Sequence, residues 1–208
     1  MISAYKTINE NTVSEFEEKK SKFITHLAHV ETDLEAAAFI DKIKNMYPDA
    51  RHHCYAYILN ENNRVKYSDD GEPQKTAGLP ILSVLEGAGL KDVIAVVVRY
   101  FGGTLLGTGG LVRAYSKGAN DALSQVKILE IQVLCSLEIQ IPYAQFEQTK
   151  FLLEQLNARI DSIDYGSAVH LKATLLEDDK KTIKPKLQEL FSGEQCYSFS
   201  QAYTGVFN

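Results

Sequence analysis

Hydrophobic and polar positions alternate or recur along this chain in blocks that mark out its elements. Residues 22–30 (KFITHLAHV) alternate and predict a strand. Thr32 and Glu35 then form a capping box, and Ala36, Phe39, Ile40, Ile43 and Met46 recur at helical spacing until Pro48. HHCYAYIL (52–59) reads as a strand, NENN as a turn, and RVKYS (64–68) as the returning arm of a hairpin. DDGEPQKTAG (69–78) is a loop, and Pro80 is expected to open the short helix PILSVLEGAG. The valine-rich run 93–101 predicts a strand buried on both faces. A glycine-rich loop follows it, then a helix from about Gly110 to Val126.

A second pattern begins at Ile128. ILEIQVLCSLEIQI alternates as a long strand, and residues 143–157 form a helix with Tyr143, Phe146, Leu153 and Leu156 available for one face. RIDSIDYG and AVHLKATLL pair as a hairpin. Residues 178–193 form a helix that Pro185 should start or kink and Gly193 should cap, and residues 195–203 form the last strand. The order β-α-β-β-α-β is the split βαβ, or ferredoxin-like, pattern. The expected class is therefore α+β, with one α/β domain over residues 1–130 and a ferredoxin-like domain over residues 131–208. No Pro/Gly/Ser linker separates them.

Composition adds boundaries to this picture. No apolar run reaches the roughly 20 residues of a membrane span, and the N-terminus has no apolar signal core. Cys54, Cys135 and Cys196 are three, far apart, and outside any CxxC pair. That suits reduced thiols in a cytoplasmic protein and argues against a disulfide framework or structural zinc. Net charge is −5, with 15 Lys+Arg against 16 Asp+Glu up to Lys127 and 7 against 11 beyond it. Bulk charge thus gives no footprint for nonspecific nucleic-acid binding, which would require a local basic patch.

VRYFGGTLLGTGGLVRAYSKG (98–118) is the candidate for such a patch. Strand, glycine turn and helix N-terminus together suit an anion, because free amides and the helix dipole point at it. Gly102, Gly103, Gly107, Gly109 and Gly110 would let it approach the backbone, and Thr104 and Thr108 add hydroxyls. Arg99 and Arg113 flank the loop and could contact phosphate or carboxylate in a bidentate manner. The Walker pattern fails, since Thr108 and Gly109 stand where Lys and Ser/Thr belong, and the dinucleotide pattern fails at Val112. ATP and nicotinamide chemistry gain no support, and no cofactor is expected. The alternative is that the glycines serve only a tight turn and close helix–strand packing.

Other candidates weigh less. Asp69, Asp70 and Glu72 lie in SDDGEPQKTAG with Gly71, Pro73, Thr76 and Gly78; the segment reads as an acidic turn or a partner-docking loop, with no metal site expected. One of its aspartates could instead pair with Arg99 or Arg113. His52 and His53 point to opposite sides of a strand, so they cannot share an ion, and His53 stands as a buried structural group or a contact beside the loop. Lys19, Lys20 and Lys22 form the densest basic cluster of the first domain and would extend a basic groove if they lay beside the arginines. No nucleophile–base pair or metal-protease motif is present.

HHCYAY, SDDGEPQKTAGLPILSVLE and VVRYFGGTLLGTGGLVRAYS, in that order over residues 52–116 and with SKF at 21–23, together resemble the IMPACT family. The resemblance implies an N-terminal α/β domain similar to the second domain of a small-subunit ribosomal protein. It also implies a C-terminal ferredoxin-like domain similar to one in elongation factor G, as attached to bacterial members. Eukaryotic members regulate translation under amino-acid starvation by competing for an activator of an initiation-factor kinase, a pathway bacteria lack. The family brings no established catalytic residues. Some bacterial members carry a proline-dipeptidase label, for which this sequence has no metal-ligand set.

Three functional expectations follow. The first is a non-enzymatic, cytoplasmic, translation-associated regulator that binds RNA or a ribosomal component through Arg99, Arg113 and the loop amides, widened by Lys22 and His53. The second is an enzyme for a small phosphorylated or carboxylated ligand with Asp69, Asp70 or His53 as acid/base. The third is a protein-interaction module built from both loops. The oligomeric state is not legible in the sequence.

Overall fold

A computed structural model describes residues 2–207. They divide into two compact units, one of Tyr5–Glu130 and the other of residues 131–207 with residues 2–4. Among the described residues no helix is long and apolar enough to cross a membrane.

The first unit runs β1 (Tyr5–Ile8), β2 (Thr12–Glu18), β3 (Ser21–His29), α1 (Asp33–Met46), β4 (His52–Ile58), β5 (Val65–Ser68), α2 (Gly78–Gly87), β6 (Val93–Tyr100) and α3 (Thr108–Leu123). Its sheet has the order β2-β3-β6-β4-β5, every neighbour antiparallel. β6 is central and buried on both faces, because helices cover both. Val93, Ala95 and Val97 pack with Ile81, Leu85, Leu111 and Ala119 of α2 and α3, while Ile94, Val96 and Val98 pack with Ala36, Ile40 and Ile43 of α1. Alternation along one strand thus supplies two cores.

Three local readings differ from the sequence expectation. The charged run 15–20 belongs to β2 and a tight turn into β3, where Lys19 (φ 47°) and Lys20 (φ 65°) are both left-handed. That is the backbone of a two-residue hairpin turn. β2 is an edge strand in which only Ser14 is buried, so it shows no apolar alternation. α2 begins two residues before Pro80, because Asp69 caps it from the preceding loop: its carboxylate accepts from the amides of Lys75 (2.7 Å), Ala77 (3.0 Å) and Gly78 (2.8 Å). α3 begins at Thr108. The capping of α1 is as expected, with the Glu35 amide donating to Thr32 Oγ1 at 3.2 Å.

The second unit is built from β7 (Ile128–Ile141), α4 (Tyr143–Gln155), β8 (Arg159–Tyr165), β9 (Val169–Leu176), α5 (Lys180–Leu190), β10 (Tyr197–Phe199) and β11 (Tyr203–Val206). β7 pairs with β9 on one side and with β10 and β11 on the other, and β8 lies outside β9. This is the ferredoxin-like arrangement, the last strand lying beside the first. Leu137, Ile139, Ile141, Leu171, Ala173 and Leu175 of the sheet close on Leu153, Ile183 and Leu187 of the helices.

The expected final strand is broken in two, and its register on β7 shifts by one residue between Phe199↔Leu137 and Tyr203↔Leu134. Ser200 fills the bulge, its hydroxyl accepting from the Ser136 amide at 2.9 Å. Pro185 lies inside α5, on the exposed side, with five helical residues before it.

Candidate functional site

Under the glycine loop lies a buried polar cluster. Arg99 continues the β6 alternation of Val93, Ala95 and Val97 and therefore points inward, beneath α3. Its Nη1 donates to Glu72 Oε1 at 2.6 Å, and the two side chains are 6% and 4% exposed. Its Nη2 donates to Ser21 Oγ at 3.3 Å, which also accepts from the Gly102 amide at 3.1 Å. Tyr115 donates to the same Glu72 oxygen at 2.8 Å. Cys54 Sγ lies 3.4 Å from the Tyr115 hydroxyl and donates to the Asp69 carbonyl at 3.0 Å. Burial, with the Cys54 thiol and the Glu72 carboxylate beside it, pushes the Tyr115 phenol far above its ordinary value. Burial does the same to the Cys54 thiol, which therefore stays protonated and is no nucleophile.

Arg99 is thus a clamp between two loops and is not presented to solvent. Its carboxylate partner is Glu72, and not Asp69 or Asp70 as the sequence suggests. Asp69 is engaged by the three α2 amides. Asp70 Oδ2 accepts from the His53 amide at 2.7 Å, and its Oδ1 lies 3.7 Å from Lys44 Nζ. Thr76 Oγ1 donates to the Pro73 carbonyl at 2.6 Å. Gly71, at φ 86°, turns the chain, and Gly78 lies so close to Ser68 that a Cβ would fall 2.7 Å from its backbone. The three carboxylates of the acidic loop are thus all engaged, Asp69 by amides of the loop and α2, Asp70 by His53 and Glu72 by Arg99. Among the described residues no three His, Cys, Asp or Glu side chains are grouped to hold a metal ion.

His53 and Lys22 lie on the other side of the sheet. Lys22 shares the α1 face with Ile24 and Ala28, and pairs with Glu15 at 2.8 Å. His53 is 6% exposed, with its Nε2 3.0 Å from the Tyr47 carbonyl. Neither adjoins Arg113.

Most of the loop glycines have packing work. A Cβ at Gly102 would fall 1.9 Å from the Lys20 backbone carbon, so the loop sits directly on the hairpin turn. Gly103 and Gly107 have φ of 83° and 71°, and a Cβ at Gly110 would meet Leu106 at 2.9 Å. Gly109 has no such reason: its φ is ordinary, and a Cβ there would meet only the flexible Arg113 Nη1, at 3.6 Å. Gly107 occupies the N-cap of α3 without a side-chain hydrogen bond, and the first turn holds no acidic residue. Thr104 and Thr108 are exposed beside it.

Arg113, one turn along α3, is exposed. It lines a cleft of about 220 Å³ with Lys19, Lys117, Glu18, Phe16 and Leu106. Lys117 is paired with Asp121 and lies 4.3 Å from the Phe16 ring centre, while among the described residues Lys19 and Arg113 have no carboxylate within 4.0 Å. The hairpin lysine therefore does adjoin Arg113. Lys117 and Tyr115 escaped the sequence reading; the signal was their place on α3, Lys117 four residues after Arg113 on the same exposed face and Tyr115 two residues after it on the buried face.

Comparison with known proteins agrees with the fold and with these motifs. A family model described as the Impact N-terminal domain matches residues 19–123, and a domain of unknown function (DUF1949) matches residues 139–194. The chain is 41% identical to IMPACT family member YigZ of Escherichia coli over 178 residues, covering 84% of this chain and 87% of that one. It is 36% identical to IMPACT family member YvyE of Bacillus subtilis, covering 93% and 90%. A crystal structure of a hypothetical protein, 35% identical, superposes with a TM-score of 0.62 over 100% of this chain and 99% of its own. With both domains and most of the chain matched in this way, the protein belongs to the IMPACT family.

Proposed function

We propose that this protein is a non-catalytic, translation-associated regulator that binds RNA, on its own or within a ribosomal particle, through phosphate held at the N-terminus of α3. The observation that carries this reading is the cleft lined by Lys19, Arg113 and Lys117, which reaches the uncapped first turn of α3 at Gly110. Bare amides at a helix N-terminus favour an anion, and lysines and arginine beside them supply the counter-charge. Gly109, which has no packing role, leaves the backbone open to close approach. Arg99 holds this surface together from below. The link with translation comes from the resemblance of eukaryotic members.

The reading as an enzyme loses its general acid/base, because Asp69, Asp70 and His53 are all engaged by backbone groups. The cleft is also smaller than the roughly 300–1,000 Å³ usual for small-molecule sites. A protein-docking role is the second reading, favoured by Leu105, which is 82% exposed at the loop tip. Its mark would be tight binding to a protein partner with little dependence on salt.

Co-sedimentation with ribosomes and bulk tRNA at two salt concentrations tests the first reading. Wild type should bind in a salt-sensitive manner, and Arg113→Ala should lose most of that binding. Arg99→Ala is the wrong variant for the purpose, because breaking a buried ion pair costs about 3–5 kcal/mol of stability. Equal binding by wild type and Arg113→Ala would overturn the proposal.

A further inference from the structure

β6 ends at Tyr100, and the next side chain, Phe101, is 48% exposed. One face of its ring is not free: the Arg99 guanidinium lies over it at 5.7 Å from the ring centre. The same guanidinium lies over the Phe23 ring at 5.5 Å and is fastened by Glu72 and Ser21. Phe101 therefore rests on a cation that cannot move, and it offers water a flat aromatic surface with little freedom left to lose.

Phe101 is not in the lining of the cationic cleft, but the chain links the two through Gly102 and the hairpin turn. Gly102 follows Phe101 immediately, packs on the backbone of Lys20, and donates to Ser21 Oγ. Lys19, one residue before that contact, lines the cleft with Arg113 and Lys117; Glu18 lies in the same lining and Asp121 pairs with Lys117. A flat apolar surface beside three cations matches a base beside its phosphates. A free anion would have no use for the ring, and an apolar peptide none for the cations. Bases in an A-form duplex are stacked on one another and cannot reach such a ring, whereas those of a single strand can.

We infer that the RNA bound here is single-stranded, with one unpaired base stacked on Phe101 and the neighbouring phosphates held by Lys19, Arg113 and Lys117. This rests on the phosphate-binding reading above and names the form of RNA that fits it. Leu105, exposed on the same loop, plays no part in stacking.

Fluorescence anisotropy with a short oligouridylate and with a duplex RNA of the same length, at fixed salt, tests it on the full chain. Wild type should prefer the single strand. Phe101→Leu should weaken that binding about tenfold, as expected for loss of one stacked base. The salt dependence should stay unchanged, and Phe101→Trp should restore affinity, which separates stacking from a mere loss of fold. Leu105→Ser should bind as wild type does. If Phe101→Leu binds normally while Arg113→Ala does not, phosphate binding stands and stacking is overturned. A preference for duplex, or an equal loss in Leu105→Ser, also overturns stacking. No binding of either RNA by wild type overturns both this inference and the reading beneath it.

Discussion

At Gly102 and Gly109 the same substitution has opposite consequences. A methyl at Gly102 would lie 1.9 Å from the backbone carbon of Lys20, and backbone cannot swing aside as a side-chain tip does. Gly102→Ala should cost about 3 kcal/mol or more through overpacking. A methyl at Gly109 meets only the end of Arg113, and the position is helical. Gly109→Ala should raise stability, by up to about 1 kcal/mol, through helix propensity. The same methyl would stand over the open amides and should weaken binding to ribosomes or tRNA. Urea denaturation and co-sedimentation on the two variants check both halves; a Gly109→Ala protein that is more stable and binds as well as wild type would leave that glycine without a role. The same contrast says why the site was half legible. The glycine loop announced itself by composition, and Arg113 by its place in it. Arg99 was drawn to the surface by its neighbourhood, although the alternation along VIAVVVRY puts it on the side of Val93, Ala95 and Val97, facing the core.

Elements with strong periodicity were legible, and elements held by distant groups were not. α1, β6, β7 and α4 carry their pattern within themselves. α2 starts where Asp69 caps it, nine residues before Gly78, and the split of the last strand depends on Ser136 in β7. β2 is an edge strand whose charges hid it. Its turn is informative in another way, since lysine is a poor residue for the left-handed backbone that both Lys19 and Lys20 adopt. Asn-Gly is the favoured pair for such a turn. Replacing Lys19 and Lys20 with Asn and Gly should therefore stabilise the unit by roughly 1 kcal/mol. It should also lower RNA binding, because Lys19 leaves the cleft. Thermal unfolding and tRNA binding measured together decide the matter: greater stability with undiminished binding would show that the lysines are tolerated at the turn and not used.

The molecule as a whole carries a net charge of −5, which repels a polyanion at a distance. Attraction must therefore be short-ranged and confined to the few cations of the cleft. That limits how steeply binding can fall with salt. Each neutralised phosphate of a single strand contributes about −0.7 to the slope of log K against log salt. Three contacts, at Lys19, Arg113 and Lys117, predict a slope of about −2, and Arg113→Ala should reduce it to about −1.4. A general polyanion binder with a broad basic face would give a far steeper slope. A protein-docking surface would give almost none. Titrating one oligonucleotide at four or five salt concentrations distinguishes the three, because the slope counts contacts independently of affinity. A value near −2 that falls in the arginine variant would locate RNA binding in this one cleft of an otherwise acidic protein. A value near zero would turn attention to Leu105 and to a protein as the partner.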